Sequence, residues 1–545
     1  MRSRHLLQLT FIIATALLTG CGSGEHQTNV ERGNEQQILY VNNGAEPQDL
    51  DPQIVTGMPE HYIILCLFEG LVSKDPKTLD PIPGVAKSWD ISADLTHYVF
   101  HLRKNALWSN GDPVTAHDFY YAWKRLLSPK LGAEYSYMLY PVKNAKAFNL
   151  GKITDFNQVG VKVIDDYTLA VTLEGPTPYF LQLLDNDSVY PVQQKTIEKF
   201  GKMDERGTRW TRPGNLVGNG PFRLKEWSPN KELVVEKSPT YWDAKSVRLK
   251  EVYFYPVDNK QTEERMFRTG QIHMTLDGQI QIDKIAVYQK EHPELIRIYP
   301  YLGTYYYEFN TTRKPFDDVR VRRAFSMAID RKKLVKDVVK GGKLPAHALT
   351  PPDTAGYTAK AYIGFNPEQA KKLLAEAGYP DGKGFPHVEL LFNTDENHRK
   401  IAVAIQQFWK QYLNVDVALA NEEWKVYLED RNNLNYDIAR AAWIGDYVDP
   451  NTFLQMYITE SGNNRTGWSN KEYDQLIHET NMTMDKNKRM ALFQKAEQIL
   501  IDNSPIAPIY YYTSVNLIRP SVKGIYRNLM TYYPLKYVYL SDGKH

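Results

Sequence analysis

The chain has 545 residues, 42% of them hydrophobic and 24% charged, with 66 Lys+Arg against 64 Asp+Glu and only two cysteines. That length allows about two to four domains with ample core, and the composition excludes collagen-like, disordered and small disulfide-framework classes. The even charge balance also argues against a nucleic-acid partner, which needs a strong basic excess on one face.

The first twenty residues carry Arg2 and Arg4 and then an apolar run from Leu6 to Leu18. A run of about 13 residues is too short to span about 30 Å of hydrocarbon, so residues 1–20 are expected to be an export signal. Leu18-Thr19-Gly20-Cys21 resembles the lipobox of bacterial lipoproteins. It makes Cys21 the expected lipidation site and predicts a periplasmic or cell-surface protein held to a membrane by its N-terminal lipid. Residues 21–36 are small and polar and suit a flexible tether. Without Arg2 and Arg4 the chain balances at 64 basic against 64 acidic residues, and its other cysteine, Cys66, sits in an apolar stretch and is expected to be a core thiol.

Farther along, short strands and helices mix. Tyr98 to Leu102 and Lys250 to Tyr255 alternate as strands. Val321, Ala324, Phe325 and Ala328 make one helical face. Asn366-Pro367 opens another helix, with Ala370, Leu373, Leu374 and Ala377 at i, i+3, i+4, i+7 before Gly378. Between Val388 and Asp446 the pattern predicts a βαβ unit: a strand over 388–392, a helix presenting Ile401, Ala404, Ile405, Phe408 and Tyr412, and a parallel strand carrying Val415, Val417 and Leu419. A further strand is expected from Tyr436 to Trp443. Tyr305-Tyr306-Tyr307 and Tyr510-Tyr511-Tyr512 read as strands with rings alternating between two faces. Ligands of open α/β sheets bind beyond the carboxyl ends of strands, which here carry Asn393 to His398, Trp424, and Trp443 to Asp446.

Catalytic signatures are missing. The sequence holds no H-E-x-x-H, C-x-x-C, G-x-S-x-G or G-x-x-x-x-G-K-[ST], and Gly218-Asn219-Gly220 precedes Pro221 and reads as a turn. A carboxylate pair for glycoside hydrolysis has little specificity among 64 acids. The expectation is therefore a binding protein without enzymatic activity, metal or cofactor.

The segment from Val85 to Phe119, with Leu107-Trp108-Ser109-Asn110-Gly111-Asp112 at its centre, resembles the signature of the extracytoplasmic peptide-binding proteins of ABC importers, solute-binding family 5. Leu50-Asp51-Pro52, Phe68-Glu69-Gly70-Leu71, Gly218 to Phe222, Tyr241-Trp242 and the run Phe316 to Arg331 match in order. This resemblance implies an α/β, two-lobed, periplasmic-binding-protein-like clamp of three domains. Lobe I would be discontinuous (28–69, 195–302 and 514–545), domain II an insertion (70–194) and lobe III residues 303–513, with hinge closure burying the ligand.

It further implies a monomeric receptor that captures short oligopeptides and delivers them to a permease and ATPase complex in the cytoplasmic membrane. Selective binding of a murein peptide, or of haem or another non-peptide ligand on the same fold, are the alternatives. The family's W-x-x-D-Y motif falls on Trp443-Ile444-Gly445-Asp446-Tyr447, so Asp446 would bind the peptide's α-ammonium, flanked by Trp443 and Gly445. Arg440 and Arg431 match positions that neutralise the peptide carboxylate, and His398 one that does so for another peptide length. Asn393, Trp424, Tyr135 and Glu308 match pocket or backbone contacts, and Met58 lies in a loop matching one that touches ligand backbone. The competing readings are a helix cap for Asp446, structural ion pairs for Arg440 and Arg431, and a helix-start position for His398.

Overall fold

In a computed structural model the described residues are 27–276, 280–422, 424–459 and 461–541, so the export signal and Cys21 lie outside them. Their strands form three main sheets. The five-stranded one has the spatial order Met274–Thr275, Ile38–Asn42, Glu251–Tyr255, Glu232–Lys237, Phe222–Ser228. Ile38–Asn42 runs parallel to both its neighbours, and the remaining pairs are antiparallel. An antiparallel four-stranded sheet orders Ala86–Ile91, His97–Leu102, Thr168–Thr172 and Val161–Asp165. One continuous apolar core, including Leu39, Phe254, Phe100, Leu169 and Cys66, runs through both and makes the first lobe.

The second lobe is built on six strands in the order Leu344–Pro345, Ile506–Leu517, Ile296–Phe309, Ile438–Ile444, Glu389–Asn393, Ala418–Glu422. The expected βαβ unit is present: Glu389–Asn393 and Ala418–Glu422 are parallel neighbours joined by the helix Glu396–Leu413. The second strand starts later than its alternation suggested, with Val415 and Val417 buried in the approach to it. The tyrosine triplet divides as expected, Tyr305 and Tyr307 entering the core on one face of the sheet and Tyr306 the core on the other.

Two long antiparallel strands, Ile296–Phe309 and Ile506–Leu517, tie the lobes together. Ile296, Val515 and Leu517 pack with Phe267 and Ile272 beside the first lobe, whereas Tyr305, Tyr307, Ala507 and Ile509 belong to the second. Their pairing is interrupted between Pro300 and Thr304. A second register shift lies between Tyr305 and Tyr306, but the unpaired stretch with a Pro that cannot donate makes the first the more compliant point.

The ordered motifs turn out to be staples of the fold. Asn219 brackets the backbone of Glu69, accepting from its N–H at 3.0 Å and donating to its C=O at 2.9 Å. The Glu69 carboxylate in turn accepts from the Tyr241 hydroxyl, the Trp242 indole and the Lys536 ammonium at 2.5–2.9 Å. Gly220 is glycine because a Cβ there would sit 2.5 Å from the backbone of Leu67 and Phe68. Asp51 takes a two-pronged bond from the buried Arg125, at 2.9 and 2.6 Å, and Arg331 donates to the carbonyls of Pro508 and Ser326.

One expectation is corrected. Residues 29–36, read as part of the tether, form the helix Asn29–Gln36, started by a reciprocal Thr28–Glu31 capping box and docked by Val30 N–H on the Gly270 carbonyl at 3.0 Å. The capping signal was present but was outweighed by polar composition.

Candidate functional site

The strand Ile438–Ile444 borders the gap between the lobes. Alternation along it turns Arg440, Ala442 and Ile444 to one side, where they line a cleft together with Tyr301, Tyr510 and Tyr512. Met58, Tyr301 and Ile444 line this part, about 560 Å³, and also an adjoining cavity of about 310 Å³ that holds Asp446. The two cavities are therefore successive parts of one interlobe cleft. From Arg440 to Ile444 the strand spans about 13 Å at about 3.3 Å per residue, and Asp446 lies two residues beyond.

Asp446 is half-buried. Burial pushes its carboxyl up to about 6, opposed by a hydrogen bond from the Tyr137 hydroxyl, and no cation of the described residues pairs with it. It is not a helix cap: the helix Asn451–Leu454 is preceded by Pro450, Asp449 accepts from Asn451 N–H at 2.9 Å, and Asp446 N–H donates to Thr452 Oγ1 at 3.1 Å. Gly445 lines the same cavity, and a Cβ on it would press on Leu302 and Thr452 at 2.8–3.0 Å. Tyr135 stands there as expected, its hydroxyl pushed up to about 12 by burial and then by the charges of Asp446 and Asp187.

At the other end Arg440 has no acidic partner among the described residues. Its guanidinium lies 4.8 Å from the Tyr305 ring centroid and donates long bonds of 3.4 Å to Asn393 Oδ1 and Tyr512 Oη, while Nε is buried and unbonded. His398 borders the same cleft. It is both a helix-start residue, its N–H donating to Asp395 Oδ1 at 3.0 Å, and a lining ring, with Nδ1 3.4 Å from the Tyr305 hydroxyl. Burial, followed by the Arg440 charge, holds His398 down at about 4, so it is neutral in the empty cleft at pH 7. Asn393 sits at the carboxyl end of its strand, in contact with Arg440. Met58 is exposed to the cleft but begins the helix Met58–Leu67 instead of lying in a loop.

Three expected site residues are placed differently. Arg431 and Glu308 pair with one another, Nε to Oε2 at 2.6 Å and Nη2 to Oε1 at 2.8 Å, with the carboxylate fully buried. A bidentate buried pair satisfies both groups and leaves neither charge for a ligand. Trp443 points opposite to Ala442 and Ile444, packing into the core on the far side of the sheet. The backbone of Trp424 starts the helix Trp424–Asn432, and its side chain lies outside the described residues. Residues not singled out from sequence also line the cleft: Tyr301, Tyr512, Lys343, His61 and Asp187. The Lys343 ammonium, held down at about 8 by burial, donates to the Thr513 carbonyl at 2.6 Å. Only Tyr512 carried a signal, as part of an alternating tyrosine run.

Comparisons with known proteins agree with this architecture. Residues 80–465 match the bacterial extracellular solute-binding proteins, family 5, middle region. The chain is 40% identical over 526 residues to the periplasmic oligopeptide-binding protein OppA of Salmonella typhimurium, covering 94% of this chain and 95% of that protein. The unliganded open form of the periplasmic murein tripeptide binding protein MppA superposes with a TM-score of 0.80 at 38% identity, covering 93% of this chain and 98% of that one. Haemophilus influenzae OppA in complex with RPPGFSPFR gives 0.75 at 36%, covering 93% and 99%. Two sheeted lobes joined by paired strands, a charged cleft between them and similarity over nearly the whole length together lead to one conclusion: the chain belongs to the bacterial extracellular solute-binding proteins of family 5.

Proposed function

We propose that this protein is the extracytoplasmic receptor of an ABC importer, capturing short peptides between its lobes and handing them to a membrane permease without chemical change. The observation that carries the reading is the disposition of charge: Asp446 and Arg440, each lacking an opposite charge among the described residues, stand at the two ends of one interlobe cleft. A peptide with free termini is the complement of that pattern. Its α-ammonium goes to Asp446 and its carboxylate toward Arg440, with His398 able to gain a proton when an anion arrives. Its main chain is satisfied by cleft hydrogen bonds independent of side-chain identity. The relatives named for oligopeptide and murein tripeptide binding support the class. Lipidation at Cys21 belongs to the same reading and rests on the lipobox alone.

Protein purified natively and then denatured is expected to release a mixture of short peptides, readable by mass spectrometry. Similarity to the open form of MppA favours selective murein-peptide binding as the second reading. Recovery of a single muropeptide would establish that one, and recovery of a porphyrin would overturn both.

A further inference from the structure

Asp446 shares its cavity with a second carboxylate. Asp187 reaches it from the first lobe, on the turn Asp187–Val189 that Asn186 caps. Its Oδ2 lies 2.9 Å from Nδ1 of His61, on the helix Met58–Leu67, and its Oδ1 makes no hydrogen bond among the described residues. The third acid nearby, Asp185, is occupied by Lys74 at 2.6 Å, both side chains being almost fully buried. With Lys74 committed, the charges left to face a ligand are Asp446 on one lobe, Asp187 on the other and the titratable His61. Both carboxylates act on Tyr135 between them, each pushing its hydroxyl upward.

We infer that this cavity receives the side chain of the peptide's first residue and that Asp187, positioned by His61, makes it prefer a cationic one. The inference rests on the peptide reading above, since the α-ammonium must occupy Asp446 for the first side chain to face Asp187. A first residue bearing Lys or Arg brings two positive charges, one for each carboxylate, on two lobes that must close on them. An acidic first residue would add a third negative charge to the cavity. The space, about 310 Å³, admits a long side chain with water around its head group. The preference is correspondingly moderate, about three- to tenfold, as befits a hydrated ion pair.

The test is calorimetry on full-length protein freed of bound ligand, using Lys-Ala-Ala, norleucine-Ala-Ala, Glu-Ala-Ala and N-acetylated norleucine-Ala-Ala. Lys-first is expected to bind about three- to tenfold more tightly than the uncharged norleucine-first peptide, whose side chain lacks only the terminal ammonium, and Glu-first more weakly than both. Asp187→Asn should erase the Lys preference, so that Lys-Ala-Ala and norleucine-Ala-Ala bind alike, with the thermal midpoint near wild type. His61→Gln, which still donates to Asp187, should retain the preference and serves if Asp187→Asn does not fold. Equal binding of the Lys-first and norleucine-first peptides to the wild type, or a preference that survives Asp187→Asn, overturns the inference. Undiminished binding of the acetylated peptide instead overturns the amine contact at Asp446 on which it depends.

Discussion

The most direct perturbation is Asp446→Asn, which preserves shape and removes charge. Burial lifts the carboxyl from its ordinary 3.8 to about 6 in the empty cleft. At about 1.4 kcal/mol per pH unit, the ionised form is held about 3 kcal/mol above its level in water. A peptide ammonium relieves that penalty, and an Asn leaves the ammonium buried without a counter-charge. The expected loss in affinity is about 3–5 kcal/mol, or two to three and a half decades. Calorimetry with a free and an N-acetylated tripeptide measures it: the free peptide should lose affinity in the variant, and acetylation should weaken only the wild type. The ligand-free variant should be more stable at pH 7, by up to about 3 kcal/mol in urea denaturation, because a strained charge has gone. The pH dependence follows from the same group. Since the folded carboxyl titrates above its unfolded value, the folded state holds the extra proton between about pH 4 and 6, and ligand-free stability falls as pH rises through that window. Peptide affinity moves oppositely, rising as the carboxyl ionises. Equal affinities for free and acetylated peptide, or a variant that binds like the wild type, would refute the reasoning.

Arg440→Met should cost peptides with a free carboxylate about 1.5–3 kcal/mol, the worth of a hydrogen bond to a charged group, while C-terminally amidated peptides are little affected; an equal loss for both kinds would remove Arg440 from carboxylate binding. Glu308→Ala orphans the buried Arg431 guanidinium and should lower stability by about 3–5 kcal/mol, seen as a shifted urea midpoint. Peptide affinity measured on the fraction that remains folded should stay within a few-fold, and a large loss of affinity with stability intact would place this pair in recognition. Gly220→Ala forces a Cβ against the backbone at the end of the Met58–Leu67 helix and should destabilise by about 1–3 kcal/mol in thermal melts, with a neutral result showing that the turn can move aside.

Much of the fold was legible because its signals are short-range. Asn366 caps the helix Pro367–Glu376 by accepting from Gln369 N–H at 3.1 Å, and Ala370 and Leu374 on its periodic face are buried. Local signals also misled where two of them competed, as when polar composition hid the Thr28–Glu31 capping box. The ordered motifs identified the family, yet their residues mostly hold the first lobe and the hinge strands together and do not touch the cleft. The Asn219 side chain holds the Glu69 backbone and the Tyr241 hydroxyl holds the Glu69 carboxylate, so these motif residues are committed to one another and form no ligand site.

The site was legible only in part. Sequence alone placed Arg440 on a strand and His398 near a helix start, though not Met58 in its helix, and the alternation that places Arg440 and Ile444 on one side of a strand and Trp443 on the other follows from its period of two. It could not tell which of Arg431 and Arg440, two arginines nine positions apart, is left for a ligand. Tertiary structure separates them: Arg431 meets Glu308, 123 residues away in the chain, whereas Arg440 meets the neutral oxygens of Asn393 and Tyr512. Helices, strands and turns follow from dihedral preference and periodicity over a few residues. Whether a buried charge is neutralised depends on which distant side chain the fold delivers to it, and that decides which of these charges is left for a ligand.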